Sequence, residues 1–245
     1  MAGKAGTMNA LLLINPGARR NKTGGDETLR QEARQEKITI VDIPRPHESG
    51  GYLPVLTERR PDILFVSGGD GTCQAVVTVL AEQLDPSLWP KLVFLPHGTT
   101  NMTANDISVR KPGNGQVGQV MALARHGRLA PHLVRRRTVR VAGLRDGAVQ
   151  HGFFAGAGAV ARAARQNQRD LNARGIKGNV AAGLTMLRAI GAALRGDVSS
   201  DGLMRDEPMV LSAANRPVVD GRVLLVLMST LETLVLGARP FWNQG

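Results

Sequence analysis

A single cysteine, Cys73, leaves this chain without any internal disulfide. Stability must come from packing and hydrogen bonds, and the cysteine usage fits a reducing cytoplasm. Aromatic residues make up only 3% of the sequence, so a core has to be built from Leu, Val, Ile and Ala. Long apolar runs are missing too. The first, residues 11–14, is closed at once by Asn15-Pro16-Gly17, too short for the apolar region of a secretory leader. None approaches the roughly 20 residues of a membrane-spanning helix, so any contact with a bilayer is expected to be peripheral. Negative charge is in deficit: 31 Lys and Arg stand against 20 Asp and Glu, a formal charge of +11. Such a surface attracts phosphates, anionic lipid headgroups or nucleic acid. Nucleic acid is disfavoured, because basic and aromatic residues are not interleaved. The five histidines show no metal-site spacing, and there is no Walker-type lysine loop or Gly-x-Ser-x-Gly elbow. Metal ligands are therefore left unassigned.

The 245 residues suffice for one large domain or two modest ones. The first half alternates strand and helix signals. Residues 11–14, 38–43, 63–66 and 92–95 read as short apolar or β-branched strands. Residues 26–36, 52–59 and 116–125 read as helices. Cys73, Val76, Val77, Leu80 and Leu84 recur at helical spacing, which puts Cys73 on a core-facing stripe. This alternation predicts a parallel sheet covered on both faces.

The second half changes character. Asp146-Gly147 and Asp220-Gly221 each lie between strand-like runs, and Asp-Gly suits the positive φ angles of tight hairpins. This half is expected to be antiparallel, interrupted by a helical region over 159–195. Asp201 reads as a turn residue, and residues 1–7 as a leader of small and polar residues. The predicted domains are 8–128 and 129–245, with the boundary near 128–131.

The most informative segment is Ser67-Gly68-Gly69-Asp70-Gly71-Thr72, where a buried strand runs into three glycines, an acid and a hydroxyl before a helix begins. Glycines let backbone N–H groups approach phosphate oxygens, and a helix N-terminus adds partial positive charge. An acid in an anion-binding loop is repelled by phosphate unless it meets Mg²⁺ or accepts a proton. On this loop alone, a plain strand-to-helix turn capped by Asp70 fits equally well. A second loop, Pro96-His97-Gly98-Thr99-Thr100-Asn101, follows the next strand. A third, Asn15-Pro16-Gly17-Ala18-Arg19-Arg20, follows the first, with two arginines able to reach a phosphate. In a parallel sheet such loops converge at the carboxyl ends of the strands, and together they suggest one nucleotide pocket.

These three segments, in this order, resemble the catalytic domain of diacylglycerol kinases and sphingosine kinases, especially the bacterial single-chain lipid kinases. The second half adds Gly152-Phe153-Phe154-Ala155-Gly156-Ala157-Gly158 and Gly237-Ala238-Arg239-Pro240-Phe241-Trp242. The resemblance implies an α/β architecture. An N-terminal nucleotide-binding domain with a mainly parallel sheet would be followed by a C-terminal antiparallel, β-sandwich-like domain with inserted helices. A cleft between the two would take ATP, Mg²⁺ and lipid. It implies transfer of a phosphoryl group from ATP to a hydroxyl of diacylglycerol or a related lipid. Asp70 would be catalytic, receiving the hydroxyl proton or orienting Mg²⁺. Asn15, Gly68, Gly69, Gly71, Thr72, Gly98, Thr99 and Asn101 would line the nucleotide site, with His97 as a further lining residue. Where many members carry Glu, this chain has Ala75. Where Asp usually follows the Asn, it has Met102, with Asp106 a turn further on as a substitute. The family usually continues past the Pro-Phe-Trp stretch, so the chain is expected to be short at its C-terminal end.

The basic run Arg135-Arg136-Arg137 with Arg140 reads as a headgroup contact or a solvated strand face. Lys177, Arg188 and Arg195 share one helical face beside Val180, Leu187, Ile190 and Leu194. That arrangement suits an anionic bilayer surface or packing on the second domain. The expected partners are a lipid substrate and an anionic membrane surface at the inner face of the cytoplasmic membrane. A homodimer stays open. Two alternatives remain: a soluble nucleotide kinase of the NAD-kinase type, which shares the Gly-Gly-Asp-Gly loop, and a nucleotide- or membrane-binding remnant without turnover.

Overall fold

The computed structural model of the chain describes residues 8–108, 115–144, 146–159, 161, 206–213, 216–234 and 239. The expected helix over 159–195 apart from residues 159 and 161, its basic face, the turn at Asp201, residues 1–7, and the stretch 237–242 apart from Arg239 lie outside them.

Four short apolar segments form one parallel sheet in the order β2-β1-β3-β4. They are β1 (Ala10–Ile14), β2 (Thr39–Asp42), β3 (Ile63–Gly68) and β4 (Lys91–Pro96). Helices α1 (Asp26–Gln35), α2 (Leu53–Arg59) and α3 (Asp70–Gln83) alternate with them. Then come α4 (Met102–Ile107) and α5 (Gln116–Arg125). Each predicted element of this half is present, to within a few residues at its ends. The sequence reading did not anticipate α4.

The central strands are apolar along their whole length because both faces are covered. Leu12, Ile14, Ile63 and Phe65 pack in one cluster with Leu29 and Ala33 of α1 and with Val117, Met121 and Ala124 of α5. Those helical positions recur every three or four residues, the spacing of a single helix face. Leu11, Leu13, Leu64 and Val66 are equally buried and, one step along the pleat, point to the opposite face. Burying a side chain of this size contributes roughly 1.5–3 kcal/mol. The helix α3 buries Cys73, Val76, Val77 and Leu80. Burial pushes the Cys73 thiol well up, with the Asp70 carboxylate a smaller cause, as suits a core position.

The chain divides into two compact units, 1–153 with 230–245, and 154–229. The sequence boundary near 128–131 falls inside the first of these. That unit also holds the antiparallel hairpin of β5 (Val139–Val141) and β6 (Gln150–Gly152). Gly147, at φ 72°, stands in the connection between them, as the first Asp-Gly pair predicts. The hairpin is tied to α3: the His151 N–H donates to Thr78 Oγ1 (2.9 Å), and Gln74 Nε2 donates to Gln150 Oε1 (3.0 Å).

The second unit contains β7 (Phe154–Gly158) paired antiparallel with β10 (Leu225–Ser229). It also contains β8 (Glu207–Ala213) paired antiparallel with β9 (Arg216–Val223). The other Asp-Gly expectation is corrected here. Asp220 and Gly221 lie inside β9, opposite Val210 and Met209, and a bend at Leu224 separates β9 from β10. There Gly158 is required: at φ 68°, a Cβ on it would meet the Leu224 carbonyl oxygen at 2.5 Å. A parallel sheet followed by antiparallel strands is the α/β class expected from the sequence. Among the described residues, no helix is long and apolar enough to cross a membrane.

Candidate functional site at the carboxyl ends of the strands

In the order β2-β1-β3-β4, the chain leaves β1 toward one edge of the sheet and β3 toward the other. The carboxyl ends of β1 and β3 therefore form the topological switch point, where open α/β sheets receive ligands. Register places the three sequence-predicted loops at this end. Ile14 pairs with Ser67 across β1 and β3, and Gly68 pairs with Pro96 across β3 and β4.

The loop after β1 is held to the glycine loop after β3 by Asn15, whose Nδ2 donates to Thr72 Oγ1 at 2.8 Å. The Oδ1 of Asn15 accepts from the Gly17 N–H, also at 2.8 Å. Thr72 is buried, and its side chain lies over Gly68, where a Cβ would come within 2.5 Å of Thr72 Oγ1. Gly69 and Gly98 make the next contact. A Cβ on Gly98 would stand 2.2 Å from the Gly69 Cα and 2.9 Å from Asn101 Oδ1. Two of the four predicted loop glycines, Gly69 and Gly98, thus serve loop-to-loop packing, and Gly68 makes room for Thr72 of its own loop. Gly71 differs, being exposed and with nothing within 4 Å of an added Cβ.

Asp70 opens α3 with Gly69 as the N-cap residue, yet its carboxylate turns to another helix. Oδ1 accepts the Thr103 N–H at 2.8 Å and Oδ2 accepts the Met102 N–H at 3.1 Å. These are first-turn groups of α4 that have no intrahelical acceptor. The residue at the N-cap position of α4, Asn101, is left-handed (φ 54°) and is committed elsewhere. Its Oδ1 accepts the Gly98 N–H at 2.8 Å and its Nδ2 donates to the Gly98 carbonyl at 3.2 Å. A capping acid was foreseen; that it caps the helix of the neighbouring loop was not. A carboxylate offers about four acceptor positions, so two remain on Asp70. Thr99 is half-buried in the turn between Gly98 and Asn101.

A buried polar cluster lies beneath the loops, and the sequence reading missed two of its members, Asn21 and Ser67. The Asn21 Nδ2 donates to the Asn15 carbonyl (2.7 Å) and to Ser67 Oγ (3.1 Å). Its Oδ1 stands 2.6 Å from His97 Nδ1, which is also 3.1 Å from Ser67 Oγ. Burial and the nearby Arg20 charge push the His97 imidazole down to about 4, against a smaller opposing effect of Asp26. His97 is therefore neutral and buried rather than lining an open surface. No local pattern around Asn21 marks it, because its side-chain partners Ser67 and His97 lie 46 and 76 positions away.

Two other expectations are corrected. Asp106 does not stand in for the acid replaced by Met102. Its side chain is 4% exposed and accepts from the Glu232 N–H (3.2 Å), the Thr233 N–H (2.8 Å) and Arg136 (3.4 Å). Arg136 also pairs with Glu232 at 2.7 Å, so the run Arg135-Arg136-Arg137 is not a uniform cationic face. Its middle member turns inward, while Arg135 and Arg137 are exposed.

Glycine-rich loops joined across the switch point of an open parallel sheet define the class: an α/β domain of the kind whose ligands bind outside the carboxyl ends of the strands. The sequence profile of the diacylglycerol kinase catalytic domain matches residues 9–131, half of the chain and all of the parallel sheet. The chain belongs to that family. The fold is similar to the crystal structure of a diacylglycerol kinase from Bacillus anthracis str. Sterne, at 18% identity and a TM-score of 0.53, covering 93% of this chain and 66% of that one. A second chain from the same strain, assigned as a diacylglycerol kinase, gives 19% identity and a TM-score of 0.56, covering 93% and 67%. This chain thus spans about two thirds of the length of those structures. Comparison with curated proteins returned no match.

Proposed function

We propose that the chain is an ATP-dependent lipid kinase that moves the terminal phosphoryl group of ATP to a hydroxyl of diacylglycerol or a related lipid. The observation that carries this reading is the Asp70 bridge, which joins two glycine-rich loops at the switch point and leaves the start of α3 facing the same end of the sheet. Support comes also from the family match over 9–131.

Phosphoryl transfer asks a protein mainly to position groups and to offset developing charge. The first N–H groups of α3 have no intrahelical acceptor, and a helix N-terminus favours phosphate. Gly71, with open space around it, lets a phosphate oxygen approach there. Thr99 and the backbone held by Asn101 and Gly98 would flank the nucleotide, while Asn15 and Thr72 would hold two of its loops together. The attacking hydroxyl oxygen bonds to the terminal phosphorus, the bond from that phosphorus to the ADP oxygen breaks, and the hydroxyl proton leaves. The free acceptor positions of Asp70 suit either that proton or the hydration shell of Mg²⁺.

Among the described residues, no group of three His, Cys, Asp or Glu side chains could hold a metal ion. Mg²⁺ bound by one or two carboxylates and substrate phosphates is the ordinary arrangement in such sites. Asp70 fits that donor set, with the ion arriving on ATP and neutralising phosphate charge when bound. The formal charge of +11 supports peripheral residence at an anionic, inner membrane surface.

The test offers terminally labelled ATP and Mg²⁺ to the purified chain with diacylglycerol in anionic vesicles, and NAD in a parallel reaction. Label in the lipid is expected. Label in NAD alone would overturn the proposal, and ATP binding without transfer to any lipid hydroxyl would favour a non-catalytic remnant.

A further inference from the structure

The cluster of Asn21, Ser67 and His97 takes a direct part in no contact assigned above to a nucleotide, yet it touches all three loops. Asn21 directly follows the loop after β1, Ser67 stands at the end of β3 just before the glycines, and His97 lies in the loop after β4. All three are at most 5% exposed. Their hydrogen-bond directions follow from the fixed members. The Asn15 carbonyl can only accept, so Asn21 presents Nδ2 to it and Oδ1 to His97. Oδ1 also only accepts, and it lies 2.6 Å from His97 Nδ1. The proton of a neutral His97 is therefore on Nδ1.

The main chain continues the same connection. His97 N donates to the Gly68 carbonyl at 3.0 Å, and the His97 carbonyl accepts the Arg20 N–H at 3.0 Å. One residue thus fixes the height of Arg20 above the sheet on one side and of Gly68 on the other. Water has little access, so a partner lost from this cluster leaves a buried acceptor unpaired, which a structure relieves by moving the loops.

We propose that Asn21, Ser67 and His97 are positioning residues of the nucleotide site, in which the Nδ1–H form of neutral His97 holds the loop after β1 and the loop after β4 in register with the glycine loop between them. This inference rests on the nucleotide reading above. The charged groups acting on the ring are Arg20, which opposes its protonation, and Asp26, which favours it. A second proton on the ring would sit on Nε2, add an unpaired buried charge and break the register.

Asparagine carries its Nδ2 where histidine carries Nδ1, so His97→Asn keeps the donor but cannot titrate. His97→Leu removes the donor. The experiment has two readouts. The first is ¹⁵N NMR of the histidine rings, with His97 assigned by its loss in His97→Asn. The second is ATP affinity of the wild type and both variants, alongside a circular-dichroism melt. The expected result is an Nδ1–H tautomer for His97 at neutral pH, ATP affinity within about threefold of wild type in His97→Asn, and at least tenfold weaker in folded His97→Leu. If His97→Leu does not fold, Ser67→Ala takes its place, and an unchanged ATP affinity there would overturn the proposal. An Nε2–H tautomer, or wild-type ATP affinity in folded His97→Leu, would overturn it as well. Should the wild type bind no ATP, the nucleotide reading falls by itself. The positioning role is then judged by the tautomer and by whether His97→Leu shifts the amide resonances of Arg20, Gly68 and Gly98.

Discussion

Asp70 begins one helix and caps another. Its Oδ1 receives the Thr103 N–H at 2.8 Å although the two residues are 33 positions apart. The same side chain therefore sets the start of α4 and lies where the proposed transfer would occur. This double duty separates two variants. Asp70→Ala loses both caps and should destabilise the fold by about 1–2 kcal/mol, read by chemical denaturation. Asp70→Asn keeps one acceptor oxygen and should cost less. In transfer assays both should fall by roughly 10²–10⁴-fold, the range of a lost acid–base group. Near wild-type turnover in Asp70→Asn would reduce Asp70 to a cap.

The glycines of the two loops should respond in opposite ways. Gly98→Ala forces a Cβ to within 2.2 Å of the Gly69 Cα, an overpacking that typically costs about 1–3 kcal/mol. Gly71→Ala meets nothing within 4 Å and should stabilise the start of α3 by about 0.4–1 kcal/mol. It should nonetheless weaken ATP binding, because the new methyl stands where a phosphate is proposed to approach. Denaturation curves and ATP titrations on the two variants check both directions.

The His97 ring gives a pH signature. Its folded value is pushed down to about 4 from 6.5, so between those values the unfolded chain binds the extra proton. The stability that this residue contributes is complete above about 6.5. It falls as the pH drops toward 4 and levels off below that. The loss should be on the order of 3 kcal/mol. Denaturation midpoints from pH 7.5 to 4 should fall less steeply in His97→Asn than in wild type; equal slopes would contradict this origin.

Asp106 is tied to the backbone of Glu232 and Thr233 and to Arg136. Asp106→Asn should lower stability by about 1–3 kcal/mol, the cost of unpairing buried polar groups. It should leave the ATP affinity of the folded protein unchanged. A selective loss of phosphoryl transfer at full stability would return Asp106 to the catalytic site.

Binding to anionic vesicles should be salt-sensitive, since the attraction of a +11 chain is screened over a Debye length of about 8 Å at physiological salt. Sedimentation with neutral and anionic vesicles at two salt concentrations checks it. Equal binding to both would remove the electrostatic basis of the membrane reading.

The sequence by itself determined the parallel half of the fold. Apolar runs such as 11–14 and 63–66, each followed by a glycine-rich break and then a 3.6-residue pattern, admit few other arrangements, because periodicity and turn chemistry are local properties. The same locality brought the three loops to notice. Only the tertiary structure decided what individual residues in them do. Gly69 and Gly98 answer to close contact between segments about thirty positions apart, and Gly68 to the Thr72 side chain folded back over it. Asn21 matters through Ser67 and His97, and Asp106 is consumed by residues 232 and 233. Asp220-Gly221 looks like a hairpin turn but pairs along β9 because β8 offers it a ladder. In each case the deciding partner is distant in sequence, and a hydrogen bond or close packing contact formed on folding leaves no trace in the spacing of residues along the chain.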